Sequence, residues 1–187
     1  MSQNQQLDLE TQIRQEEMAS RNAVYEWAEA LLVALAIAAI VTSCLFRVVT
    51  VSGNSMRNTL QNGDTLLVVS GFYHQPQYGD IVVVNRNAEE PLIKRVIACE
   101  GDTVDIDPDS GVVYLNGEVL EEPYLQCETP VLDFEGPYTV PAGYVFVMGD
   151  NRGDSWDSRS IGAVSEEDVM GKAVFRMMPF SRVGTIS

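Results

Sequence analysis

Ala30-Leu-Leu-Val-Ala-Leu-Ala-Ile-Ala-Ala-Ile-Val-Thr-Ser-Cys-Leu-Phe46 carries no charged side chain, and its length approaches the roughly 20 residues that a helix needs to cross a bilayer. Read with its flank, residues 24 to 46 form one membrane-spanning helix. Tyr25 and Trp27 stand where an interfacial aromatic belt belongs, and Glu26 and Glu29 fall near headgroup depth. A buried core helix is one competitor, and a cleaved secretory signal is another. The signal would need a positive leading segment, whereas Asp8, Glu10, Glu16 and Glu17 outnumber Arg14 and Arg21. The same leading segment argues against reading Val41-Thr-Ser-Cys44 as a lipoprotein cleavage box. Arg14 and Arg21 on one side balance Arg47 and Arg57 on the other, so flanking charge sets no orientation. Residues 1 to 23 are polar and glutamine-rich and read as a mobile tail.

After Arg47 the continuous apolar run gives way to short β-branched and aromatic segments divided by Gly, Pro, Asn and Asp. This pattern predicts strands at 48–51, 65–69, 81–84, 92–99, 103–106, 112–115, 119–120, 138–140, 144–148 and 172–177. Asn116-Gly117 is a two-residue hairpin signal because both residues tolerate positive φ. Ser165-Glu-Glu-Asp168 reads as one capped helical turn. No long crossover helices separate the strands, so barrel-like or sandwich packing is expected rather than a doubly wound sheet. The expected class is mainly β: one transmembrane helix, then a β-domain over residues 47 to 187 with a short insertion around 103 to 140. That leaves about 140 residues for a single domain, long enough to bury a core.

The formal net charge is −15, and no lysine or arginine lies between Val96 and Asn151 although acids recur throughout that span. Such a surface repels phosphates and excludes nucleic acid as a partner. Asp105-Ile-Asp-Pro-Asp-Ser-Gly111 suggests a calcium loop, but Ser110 and Asn116 occupy the positions where an EF-hand requires Gly and Glu. With His74 the only histidine and no Cys-x-x-Cys, zinc lacks ligands, so neither metal nor cofactor is expected. Cys44 lies in the apolar run, and Cys99 with Cys127 does not make a disulfide framework.

Two polar residues carry candidate chemistry. In Leu92-Ile-Lys-Arg-Val96 a strand places Lys94 on one face with Leu92 and Val96 and turns Arg95 to the other. Apolar neighbours strip water from an ammonium and lower its pKa from about 10.4, which is how a lysine becomes a base. A snorkelling lysine whose stem covers the sheet fits the same pattern. Ser55, in Val51-Ser-Gly-Asn-Ser-Met56, is the candidate nucleophile, with its own backbone N–H as an oxyanion donor and Gly53 permitting close backbone approach. A Ser-His-Asp alternative would have to recruit His74 from a loop-like stretch. Gly149-Asp-Asn-Arg-Gly-Asp-Ser-Trp-Asp-Ser-Arg159 is too polar and turn-rich to be core, and loops of this kind carry function.

Taken in order, Ser52-Gly-Asn-Ser-Met-Arg-Asn-Thr-Leu60, Asn62-Gly-Asp-Thr65, Tyr78-Gly-Asp-Ile-Val82, Ile93-Lys-Arg-Val-Ile-Ala-Cys-Glu-Gly-Asp102 and Gly149 to Gly162 resemble the boxes of the bacterial type I signal peptidases. The match covers most of residues 50 to 180, and the single anchor resembles the compact form common in Gram-positive bacteria. The resemblance implies that Ser55 is the nucleophile, Lys94 the general base and Ser155 the hydroxyl that orients the lysine amine. It also implies that Asp157 and Arg159 form a structural ion pair. A free carboxylate beside Lys94 would hold its proton on, so Asp157 is expected to face Arg159 or Arg95. The implied reaction cuts exported preproteins after small residues, Ala-x-Ala in type, through an acyl-enzyme. The implied place is the cytoplasmic membrane, with the lipid bilayer as a further partner and the catalytic domain outside.

Two departures stand out, Asn58 where the family usually has proline and Gly53 where some members carry a hydroxyl donor. Gly53 and Met56 are the expected substrate-pocket residues, with Met56 as a wall next to the nucleophile. Arg152-Gly-Asp154 spells an adhesion tripeptide, and Phe175-Arg-Met-Met-Pro-Phe180 is either core or an apolar foot on lipid. The competing functions are an inactive anchored β-domain serving as scaffold or adhesion module, and a self-cleaving serine-lysine repressor. The repressor would need a helix-turn-helix where the apolar segment lies.

Overall fold

The computed structural model describes residues 3–186 except 58, 72, 87, 88 and 126. Two compact units emerge, Met1–Ser43 and Cys44–Ser187.

The first unit is formed by helix α1, Gln3–Leu45, whose last two residues belong to the second. Its backbone is helical from Gln3, so the segment expected to be a tail is helix instead. No glycine or proline occurs before Gly53, and the Gln, Glu, Arg, Leu and Ala of this stretch all lose little on entering a helix. Within it, Tyr25–Leu45 is long and apolar enough to cross a membrane, with a mean hydropathy of 2.3 and none of it buried. The helix stops at Leu45, one residue short of the expected boundary. The Leu45 carbonyl accepts the Ser70 N–H at 2.9 Å instead of continuing the helical ladder, and the β-branched residues that follow favour a strand.

The second unit is mainly β, as expected, and its first strand starts one residue before the expected domain boundary. Its strands are β1 (Phe46–Thr50), β2 (Thr65–Val69), β3 (Ile81–Arg86), β4 (Glu89–Ala98), β5 (Thr103–Ile106), β6 (Val113–Leu115), β7 (Glu118–Val119), β8 (Tyr138–Thr139), β9 (Tyr144–Met148), β10 (Val164–Ser165), β11 (Val169–Met178) and β12 (Gly184–Thr185), with one turn of helix, α2, at Ser158–Ile161. The larger antiparallel sheet runs β1-β2-β11-β3-β4-β9-β10, with β12 beside β11; the smaller runs β7-β6-β5-β8. Asn116 (φ 55°) and Gly117 (φ 84°) turn β6 into β7, both in the left-handed region that a tight two-residue hairpin demands. The Ser165 hydroxyl accepts the Glu167 N–H and caps the predicted turn.

The paired strands β3 and β4 are buried on both faces. Val83 and Ile93 join Val51, Met56, Leu60, Leu66, Val68, Ile81 and Ala173 in one core. Val82, Val84 and Val96 join Val145, Val147 and Val164 in another. In the register, Val82 lies opposite Lys94 and Val84 opposite Leu92, so the lysine emerges on the valine-rich face. A third core, with Phe134 and Phe146 edge-to-face at 5.6 Å, joins the smaller sheet to β9. Beyond β11, Phe180 is 81% exposed, and Met177 and Met178 also face outward. The end of the Phe175 to Phe180 segment is thus surface, whereas Phe175 is half-buried.

Candidate active site

Ser55 stands on a turn carried by the end of β1. The Val51 N–H donates to the Asp64 carbonyl and the Gly63 N–H returns to Val51, which closes the loop at its base. Gly53 adopts φ +87°, a conformation that a side chain would strain, and its N–H donates to Asn62 Oδ1 at 3.1 Å. Gly53 therefore shapes the turn and spends its N–H on it. Met56, expected as a pocket wall, is instead 1% exposed and packs in the core with Leu60 and Leu66. Its sulfur accepts the Asp150 N–H at 3.4 Å, so Met56 anchors the turn and offers no surface to a ligand. Asn58 lies outside the described residues.

Lys94 is 2% exposed, and its Nζ donates to Ser55 Oγ at 2.6 Å. The two residues are 39 positions apart in sequence, and the strand alternation read around Lys94 is what aims the amine at the hydroxyl. Burial brings the Lys94 pKa down from 10.5 to about 8. Of the surrounding charges, Asp157 and Asp154 oppose that shift while Arg159 and Arg86 assist it.

Asp157 is fully buried, yet it does not pair with the lysine. Its carboxylate accepts Arg159 Nε and a second guanidinium N–H, each at 2.9 Å, the Gly149 N–H at 3.0 Å and the Ser155 hydroxyl at 2.6 Å. Burial alone would push the Asp157 carboxyl up, but Arg159 foremost, then Ser155 and Gly149, hold it below the usual carboxylate range. The expected Asp157–Arg159 pair is thus present. The expected Ser155–Lys94 contact is replaced by another: the Ser155 hydroxyl donates to Asp157, the stronger acceptor, at 2.6 Å, while the Lys94 amine donates to Ser55.

Arg95, on the opposite face of β4, does not approach Asp157. It forks onto Asp150 at 2.9 and 2.8 Å, donates to the Gly79 carbonyl at 2.9 Å and stacks over Tyr124 at 4.0 Å. Arg152 is 1% exposed, bound to Glu122, to Thr129 at 2.7 Å and to the Gly149 carbonyl at 3.0 Å. A tripeptide whose arginine is sealed in this way presents no adhesion motif.

Three positions that the sequence reading left without a role complete the frame. The Asn151 N–H donates to the Ser55 carbonyl at 2.8 Å and its side chain to the Asn54 carbonyl at 3.1 Å, clamping the serine turn to the Gly149–Arg159 loop. Asp150 unites Arg95 with Met56. At Gly149 any Cβ would come within 2.3 Å of Ser155 Oγ and 2.5 Å of the Ser55 carbonyl oxygen, so only glycine lets the two segments meet. The polar, glycine-bearing loop flagged its own importance, but its partners lie up to 97 positions away and no local pattern names them.

The site thus sets a serine hydroxyl against a desolvated lysine amine on a β-domain that follows one long apolar helix in the sequence. Residues 24–178 match the model of the family described as signal peptidase, peptidase S26, and the chain belongs to that family of hydrolases. It is 35% identical over 176 residues to a signal peptidase I of Bacillus licheniformis, covering 87% of this chain and 93% of that protein. It is 32% identical over 183 residues to signal peptidase I S of Bacillus subtilis strain 168, covering 91% and 98%. A signal peptidase I of Enterococcus faecalis V583, solved as a crystal structure, aligns at 31% identity with a TM-score of 0.43, over 52% of this chain and 96% of that one.

Proposed function

We propose that this protein is a type I signal peptidase that removes signal peptides from exported preproteins after small residues, with Ser55 as nucleophile and Lys94 as general base. The observation that carries this reading is the 2.6 Å contact between a buried lysine amine and the serine hydroxyl. Deprotonated, the amine reverses that hydrogen bond and accepts the Ser55 proton while Oγ bonds to the scissile carbonyl carbon. The Ser55 N–H, which donates to no group among the described residues, is the donor for the developing oxyanion. Lys94 then returns the proton to the departing amine as the C–N bond breaks. Water, deprotonated by the same amine, opens the Ser55 ester and restores the serine.

Substrate recognition is proposed along β1. Among the described residues this strand pairs only with β2, and its C-terminal end leads into the Ser55 turn. An extended substrate segment adds there by main-chain pairing, with alternate side chains in shallow pockets. Tyr25–Leu45 is the single-pass anchor in the cytoplasmic membrane, with the β-domain on its outer face, and the exposed Met178 and Phe180 supply apolar contact with lipid. The buried Arg152 weighs against an adhesion module, and the Lys94–Ser55 contact against an inactive scaffold. A self-cleaving repressor is disfavoured because a spanning helix fills the place of a DNA-binding one.

The test is the pH dependence of kcat/KM on an Ala-x-Ala peptide in detergent. Activity is expected to fall tenfold per unit below a midpoint near pH 8, because the folded lysine is protonated below that value and cannot accept the serine proton. Peptide mapping of acid-quenched enzyme is expected to find the acyl group on Ser55. A flat profile from pH 6 to 9, or an acyl group on another residue, would contradict the reading.

A further inference from the structure

Trp156 lies between Ser155 and Asp157, two residues fixed inside the site, yet its own ring is 48% exposed. The Arg86 guanidinium carbon sits 4.1 Å from the centroid of that ring. Arg86 ends β3, the strand whose Val82 stands opposite Lys94 and whose Val84 stands opposite Leu92. The stacked pair therefore ties the end of the β3–β4 hairpin to the Ser155–Asp157 loop, and Lys94 belongs to the strand between these two supports. A cation on a tryptophan face is a directional attachment that holds at a water-exposed site. It also places a positive charge where it discourages a second one on the amine.

We propose that Arg86 and Trp156 are positioning residues whose stacked pair clasps the β3 end to the Ser155–Asp157 loop and so keeps the Lys94 amine dry and in register with Ser55. This rests on Lys94 being the base. The groups facing the amine are Ser55 from the β1 turn, Asp157 and Arg159 from the loop and α2, Asp154 from the preceding turn and Arg86 from β3. Asp157 is neutralised by Arg159, which leaves Asp154 and Arg86 with opposite effects on the amine. Loosening the clasp admits water and withdraws Arg86, and both changes favour the protonated lysine.

The test compares the full-length protein in detergent with Trp156→Ala, Trp156→Phe, Arg86→Gln and Arg86→Lys, using kcat/KM against pH and a urea melt of each. Trp156→Ala and Arg86→Gln are each expected to move the acid limb upward by about half to one pH unit, a three- to tenfold loss at pH 7 that shrinks to about twofold or less at pH 9 and disappears above about pH 10. Trp156→Phe keeps the ring face and Arg86→Lys the cation, so both are expected to stay near the parent profile. The limb position does not depend on the fraction folded, so a lowered melting midpoint leaves the comparison intact. The clasp is overturned if the limb stays put in all four variants, or if activity drops equally at every pH. It is overturned too if Arg86→Gln shifts the limb and Trp156→Ala does not, since a charge acting through space needs no ring. In each of these cases a parent limb near pH 8 together with inactive Lys94→Met would leave the serine-lysine reading standing. Loss of that limb in the parent, or retained activity in Lys94→Met, would instead remove the base on which the clasp depends.

Discussion

Lys94→Met is expected to lose cleavage by on the order of 10⁴-fold and, at pH 7, to be more stable than the parent. The loss follows from removing the group proposed to accept the Ser55 proton, and members of a nucleophile–base unit fail together rather than in proportion. Ser55→Ala is therefore expected to be no more impaired than Lys94→Met, and the double variant no worse than either. The gain follows from linkage. The folded lysine titrates near 8 and an unperturbed one at 10.5, so below pH 8 the folded chain carries a proton that burial disfavours, at a cost of up to about 3 kcal/mol. As pH rises from 8 to 10.5 the unfolded chain binds the extra proton, the native state gains relative stability, and above 10.5 the penalty is gone. Methionine fills the same space without the charge and forgoes a hydrogen bond of about 1 kcal/mol. Urea melts are expected to favour the variant by roughly 1–2 kcal/mol at pH 7, with the advantage vanishing toward pH 10.5. Equal melts at both pH values, or substantial residual cleavage, would refute the role given to this side chain.

The second large effect is expected at Arg159. Its fork onto Asp157 is buried, with both side chains 0% exposed, and removing one partner of such a pair typically costs about 3–5 kcal/mol because the remaining charge is stranded. Here the stranded charge has another outlet. In Arg159→Met the Asp157 carboxylate loses its cation and turns its full field on Lys94, whose proton it already favours. The acid limb of kcat/KM is expected to rise by at least one pH unit as the domain loses several kcal/mol in urea. Adding Asp157→Asn removes the stranded charge, so the double variant is expected to recover part of the stability and bring the limb back down. An Arg159→Met protein with an unmoved limb would show that the ion pair serves the fold alone.

How far the sequence foretold this arrangement depends on the range over which each signal acts. The Thr65–Val69, Thr103–Ile106 and Tyr144–Met148 strands stand where alternation and turn residues predicted them, and the Asn116-Gly117 hairpin forms because both residues accept positive φ. Lys94 was legible for the same local reason, since Leu92 and Val96 on its face announce an apolar environment. The two-residue strands Val164–Ser165 and Gly184–Thr185 are too short for any periodicity to show. Met56 was misassigned because a methionine beside a nucleophile looks the same in sequence whether it lines a pocket or fills a core. The redirected Ser155 proton and the Arg95–Asp150 fork were also out of reach. Choosing among buried acids and arginines requires knowing which loops meet, and Asn151 meets Asn54 and Ser55 across most of the domain.

The most direct measurement exploits the fact that Lys94 and Lys172 are the only lysines in the chain. Lys172 is partly exposed and paired with Asp80, so Lys172→Arg retains its charge and leaves a single lysine to observe. With that variant labelled at the lysine side chain, an NMR titration of the full chain in detergent reads one amine. A midpoint near pH 8 that moves toward 10 in urea is the expected result. A midpoint above 10 in the folded protein would mean that the amine stays charged wherever cleavage occurs, and Lys94 would not be the base.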